Sequence, residues 1–215
     1  MALYALVDAN NFYASCEKIF DPALADTPLV VLSNNDGCIV ARSAEAKALG
    51  IPMGAPMHQW RAFCDAHGVI SKSSNYTLYG DMSARMLSIL QDMCPQVESY
   101  SIDESFLDLS GYADARAYGQ LIRKRLQQNI KITCGVGIGA TKTLAKFANH
   151  LAKKQPEFAG VCQLSTDTPA RTRELMATYP VAEVWGVGRQ LSARLQADGV
   201  ETVLDLARCD PLAIQ

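Results

Sequence analysis

Long apolar runs are missing from this 215-residue chain. No stretch of about 18 consecutive hydrophobic residues occurs, which excludes a membrane-spanning helix. The opening residues, Met1 to Val7, lack the basic start and extended apolar segment of a secretion signal. A CxxC pair is missing too. The seven cysteines, Cys16, Cys38, Cys64, Cys94, Cys134, Cys162 and Cys209, are odd in number and scattered, which argues against a disulfide framework and a cysteine-built zinc site. A reduced, cytoplasmic protein is expected. Nor is there an excess of charge: 20 Lys and Arg against 22 Asp and Glu leave a net of −2. With 49% hydrophobic and 20% charged residues, the chain is neither disordered nor collagen-like. Its length allows one large domain or two to three small ones.

The near-neutral total hides an uneven distribution. Between Asp114 and Lys154 lie nine basic residues and a single acid, so that window is +8 and the remainder −10. A basic segment in an acidic chain fits a local phosphate-binding face. Solvated faces of two helices would read the same way.

Along the chain, Leu3–Val7 reads as a buried strand ending at Asp8, and Asn11–Phe20 as a helix with Phe12, Cys16, Ile19 and Phe20 on one face. Strands are expected at Leu29–Leu32, Cys38–Ala41 and Val69–Ser71, and helices at Ser43–Leu49 and Met57–Ala66. Tyr76–Met93 is a long amphipathic helix stopped by Pro95. VESYSIDESFLDL reads as a hairpin around Asp103-Glu104. Helix Ala113–Gln128, strand Lys131–Ile138 and helix Thr141–Lys154 follow, then a strand fading into polar linker over Val161–Thr168 and a helical tail over Val181–Ala207. This order implies an α+β fold of the split-βαβ, ferredoxin-like kind, with an insertion between residues 11 and 74.

Three carboxylates sit at the ends of strand-like segments: Asp8, and Asp103 with Glu104. Charged groups seldom end a buried strand unless paired or ion-binding. If the first strand lies beside the hairpin, all three could converge and hold two divalent cations for in-line phosphoryl or nucleotidyl transfer. Mg²⁺ suits carboxylates combined with phosphate oxygens and water. The same residues also read as a helix cap and a polar turn. Adjacent strand residues point to opposite faces, so Asp103 and Glu104 can share a site only where the backbone turns.

LVDANNFYASCE, PLVVLSNNDGCIVARSAEAKALGI, SNYTLYGDMS, YSIDESFLDLSG, GVGIGATKTLAKFANHLAK and VWGVGRQLSARLQADGVETVLDL occur in that order from Ala2 to Leu206. Together they resemble the Y family of translesion DNA polymerases, and SNNDGC and RSAEAKALG resemble its UmuC type. The resemblance implies a polymerase palm at 1–10 and 75–165, an inserted fingers domain at 11–74, and a partial helical thumb at 166–215 containing a helix–hairpin–helix. It implies that Asp8, the Ala9 carbonyl, Asp103 and Glu104 hold two Mg²⁺ ions, with Glu104 close to the primer hydroxyl. Tyr13 matches the steric gate against a 2′-hydroxyl, with Phe12 beside it in the nucleotide site. Lys47 and Lys153 match triphosphate-binding residues, and Gly186, Gly188 and Arg189 match a DNA-phosphate turn. Many members carry a tyrosine three positions before the fingers basic residue. Ala44 stands there instead, leaving Arg42 or Ser43 as candidate replacements.

The implied partners are primer–template DNA and a deoxynucleoside triphosphate, and, for the UmuC type, a processed UmuD dimer (UmuD′), RecA and the sliding clamp in the SOS response. Family members continue beyond the length of this chain, so the chain alone is expected to be weak or inactive. A palm-type nucleotide cyclase gives no reason for Tyr13 or the thumb motif. A non-catalytic DNA-binding or partner-binding remnant is the alternative from another class.

Overall fold

The computed structural model describes residues 2–164 and 169–210. The first strand, β1, spans Tyr4–Ala9, so it runs two residues past the expected end and takes in Asp8. Helix α1 follows at Phe12–Ile19, then β2 (Leu29–Leu32), β3 (Ile39–Arg42), α2 (Ala44–Ala48), α3 (Met57–Ala66), β4 (Ile70–Ser73) and α4 (Tyr76–Met93). The hairpin is β5 (Val97–Ser99) and β6 (Glu104–Asp108). After it come α5 (Ala115–Ile130), β7 (Cys134–Gly139), α6 (Lys142–Lys154), β8 (Val161–Gln163), α7 (Pro169–Thr178), α8 (Arg189–Ala197) and α9 (Val203–Arg208).

Five strands form the larger sheet in the order β5-β6-β1-β7-β8, which sets β1 between β6 and β7. This is the α+β arrangement that the element order implies. Strand β7 begins at Cys134, later than expected, because α5 continues to Ile130 and Lys131 turns the chain with φ of 58°.

The chain forms two compact units. One comprises Asp8–Ser105 and Leu121–Cys134. It contains a second sheet in the order β3-β2-β4, with β2 antiparallel to β3 and parallel to β4. Its core gathers Val30, Leu32, Ile39, Ile51 and Met57 beneath Trp60 and Phe63. Ser43 caps α2, its Oγ accepting from Ala46 N–H, and Asn75 caps α4 in the same way through Leu78 N–H. Phe12 and Cys16 of α1 are buried as expected, whereas Phe20 lies past the helix and is exposed.

The other unit comprises Met1–Val7, Phe106–Gln120 and Gly135–Gln215. Here β7 and β8 run parallel, pairing Val136 with Val161 and Ile138 with Gln163. The GVGIG sequence of β7 lets α6 lie directly on the strand: a Cβ at Gly137 would stand 2.0 Å from the Asn149 backbone nitrogen. Asn149, itself buried, donates through Nδ2 to the Leu6 carbonyl at 3.3 Å. Phe147, Leu151, Cys162, Leu175, Met176 and Val203 form the adjoining core. Helix α7 has no counterpart in the sequence reading. The expected boundary at 165–166 lies outside the described residues. All seven cysteines are free thiols, and among the described residues no helix is long and apolar enough to cross a membrane.

Candidate active site

The end of β1 is held by two backbone hydrogen bonds and one from a side chain. Ala9 N–H donates to the Asp103 carbonyl at 2.9 Å, Asn10 N–H to the Thr133 carbonyl at 2.8 Å, and Ser15 Oγ to the Asn10 carbonyl at 2.8 Å. Asn11 then takes up left-handed backbone, φ 51° and ψ 42°, a conformation that asparagine tolerates better than most residues. The Asp8-Ala9 end of β1 is thereby brought beside Asp103 across 95 positions of sequence.

Residues 101–103 form a bend, and β6 starts only at Glu104. The bend removes the alternation that would send adjacent side chains to opposite faces. Both carboxylates turn to one hydroxyl: Ser101 Oγ lies 2.8 Å from Asp103 Oδ1 and 3.4 Å from Glu104 Oε2. Among the described residues, no three His, Cys, Asp or Glu side chains are gathered as an ion-holding cluster. The donor set at this place is nevertheless of the right kind for Mg²⁺, being made of carboxylates and peptide carbonyls. Backbone pairing puts Asp8-Ala9 beside Asp103.

Tyr13 is half-buried on α1, one position past the fully packed Phe12, so the two neighbouring aromatics have different fates. Its ring lies flat on that of Tyr79, centroids 4.3 Å apart and planes 13° apart. Tyr76 meets it edge-on at 6.0 Å. Burial, then the neighbouring Tyr76 and the Asp103 carboxylate, push the Tyr13 hydroxyl pKa up, so it stays protonated. The same residues hold the buried Tyr79, whose hydroxyl donates to Glu17 Oε1 at 2.7 Å. Sequence reasoning passed over Tyr79, Glu17 and Ser101. The available signals were the three-residue spacing of Tyr76 and Tyr79 on α4 and the serine two positions before Asp103.

Lys47 is exposed on α2 and its Nζ donates to Asn11 Oδ1. Neither candidate replacement at the Ala44 position is poised to grip phosphate. Ser43 is buried, with its Oγ accepting from both Ala46 N–H and Leu29 N–H. Arg42 turns Nη1 to the Ile51 carbonyl at 2.5 Å, while its Nε is buried without a hydrogen-bond partner.

Asp8, Ala9, Phe12, Tyr13, Lys47, Asp103 and Glu104 therefore belong to one compact unit, and Lys153, Gly186, Gly188 and Arg189 to the other. Lys153 is exposed near the end of α6, its aliphatic stem laid over Gly135. Gly186, with φ of 91°, makes the turn into α8, Gly188 caps that helix and Arg189 begins it. The segment ahead of the turn is a short 3₁₀ helix, Val181–Glu183, rather than an α-helix.

Residues 7–150 match the model of the impB/mucB/samB family. The chain is 51% identical over 209 residues to Protein UmuC of Salmonella typhimurium, covering 95% of this chain and 49% of that protein. To Protein SamB of Salmonella typhimurium it is 48% identical over 216 residues, 99% of this chain and 51% of the relative. To DNA polymerase IV of Moorella thermoacetica it is 36% identical over 210 residues, 94% and 50% respectively. The chain thus spans about half the length of the curated relatives it matches. Among solved structures, DinB from Sulfolobus solfataricus superposes with a TM-score of 0.80 at 24% identity, over 97% of this chain and 60% of that one. The insertion ternary complex of Dbh DNA polymerase gives a TM-score of 0.81, also at 24% identity, over 97% and 61%.

Proposed function

Because the chain belongs to the impB/mucB/samB family, we propose that it carries the catalytic centre of a translesion DNA polymerase, copying damaged template by nucleotidyl transfer in SOS mutagenesis. The observation that carries this reading is the pairing of Ala9 with Asp103, together with the bend that turns Asp103 and Glu104 to the same hydroxyl. Asp8, the Ala9 carbonyl, Asp103 and Glu104 would hold two Mg²⁺ ions. Those ions, when bound, make the primer hydroxyl a stronger nucleophile and neutralise charge on the triphosphate.

The chain's own residues bind and orient. Tyr13, backed by Tyr79, lies under the sugar of the incoming nucleotide and excludes a 2′-hydroxyl by contact. The buried Phe12 stiffens the helix start from which Tyr13 projects. Lys47 and Lys153 supply mobile point charges for the triphosphate. Gly186 and Gly188 open the start of α8 to a DNA phosphate, with Arg189 beside it. Such contacts position a duplex without reading its sequence.

In this reading residues 1–10 and 75–165 are the palm, 11–74 the fingers and 166–215 the beginning of a thumb with a helix–hairpin–helix. Primer–template DNA and a deoxynucleoside triphosphate are the substrates. A UmuD′ dimer, RecA and the sliding clamp are the partners, in the cytoplasm, where free thiols persist. Primer extension with Mg²⁺ on a template containing an abasic site tests the proposal. Wild type incorporates nucleotide at a low but measurable rate and Asp103→Ala does not. Equal incorporation by both refutes the assigned role.

A further inference from the structure

We infer that Glu17 is a positioning residue for sugar discrimination, acting through the buried Tyr79 on the ring of Tyr13. The inference rests on the proposed role of Tyr13 as a gate. Tyr13 and Glu17 are four residues apart on α1 and so share a face of the helix. Tyr76 and Tyr79, three apart on α4, face them. Tyr79 is fully buried, and a buried phenol requires a hydrogen-bond partner. Glu17 Oε1 is that partner, at 2.7 Å.

The hydrogen bond fixes the far end of the Tyr79 ring, and Tyr76 braces it edge-on at 6.0 Å and 83°. Tyr13 then lies on this fixed platform, nearly parallel at 4.3 Å. A gate that works by contact rejects a 2′-hydroxyl only if its ring cannot give way. The free face of Tyr13 is only as rigid as the ring behind it. Burial, followed by the bond to Glu17, raises the Tyr79 hydroxyl pKa, so the donor remains protonated throughout the working pH range.

The test is the ratio of kcat/KM for a deoxynucleotide to that for the matching ribonucleotide, measured in primer extension with Mg²⁺. The ratio does not depend on the fraction of active protein, so simple loss of stability leaves it unmoved. Glu17→Ala lowers it about tenfold, the worth of roughly one hydrogen bond, and Tyr79→Phe lowers it similarly while keeping the ring. Glu17→Gln, whose amide oxygen still accepts the bond, stays within about twofold of wild type. A drop in Glu17→Gln as large as in Glu17→Ala contradicts the hydrogen bond as the cause. Should Glu17→Ala fail to fold, Tyr79→Phe decides alone, and a wild-type ratio there overturns the inference. Tyr13→Ala separates the two levels. If it abolishes discrimination while Glu17→Ala and Tyr79→Phe keep the wild-type ratio, the gate stands and the role of Glu17 falls. If Tyr13→Ala discriminates as well as wild type, the gate reading fails and takes this inference with it.

Discussion

Ser43 separates structural from functional work at a single residue. Its hydroxyl caps α2 and also accepts from Leu29 N–H, inside the smaller sheet's core. Ser43→Ala would leave one buried donor unpaired as well as removing a cap, lowering stability by about 2 kcal/mol. The KM for nucleotide should be unchanged in that variant, and denaturant unfolding beside steady-state kinetics reads both quantities. Residue types announced some of the site and hid the rest. Two adjacent aromatics, Phe12 and Tyr13, are equivalent in sequence, and only packing decides which is core and which projects. The acid pair on a strand should diverge by alternation, and the bend that prevents this is a tertiary choice stabilised by Ser101. Tyr79 lies within an amphipathic helix where no local pattern singles it out. Its partner across the fold, Glu17, lies 62 positions away, beyond any local pattern.

Helices α3 and α4 and strand β2 coincide with their sequence-based limits, because capping residues, prolines and apolar spacing agree there. Helix α7 went unseen because its buried residues, Leu175 and Met176, are neighbours in sequence and make no periodic stripe. The glycines of β7 carry an element-level prediction. Gly137→Ala would push a methyl to 2.0 Å from the Asn149 nitrogen and 2.1 Å from the Ala145 carbonyl oxygen. Neither atom can move without shifting α6, so a loss of about 3 kcal/mol or more is expected in urea unfolding. Gly135→Ala meets only the Lys153 stem and the Asn149 amide at 3.0 to 3.3 Å, and should be much milder.

The tie between α1 and α2 is an ion pair, Lys18 to Glu45 at 2.7 Å. Burial of the Glu45 carboxyl raises its pKa, but the hydrogen bonds from Lys18 and Ser43 outweigh it, and the net shift is downward. A lowered folded pKa gives stability that is present above the unfolded value and is lost as pH falls through the folded one. Glu45→Gln should therefore remove a few tenths of a kcal/mol of acid sensitivity between about pH 5 and 3, a small effect because the pair is partly solvated. Unfolding midpoints across that range check it.

At the scale of the whole molecule, the proposed contact with DNA is electrostatic. The +8 window from Asp114 to Lys154 supplies α5 and α6, and part of it is already engaged: Lys142 lies over Phe106 and Lys146 over Trp185. DNA binding by the chain should weaken steeply with salt. Arg189→Ala, at the proposed DNA-phosphate turn, should reduce the slope of log K against log salt by about one. An unchanged slope would assign it to solvent. The fold as a whole was legible because strand and helix order survive local errors of a few residues. The site was legible only through the motif series, since a carboxylate near the start of the chain and two in its middle have no local relation. That long-range meeting is the central claim, and single-turnover incorporation by Asp8→Asn tests it most directly. The rate should fall by about a hundredfold or more with DNA binding intact; a rate equal to that of wild type would mean that Asp8 does not join Asp103 and Glu104 in the chemistry.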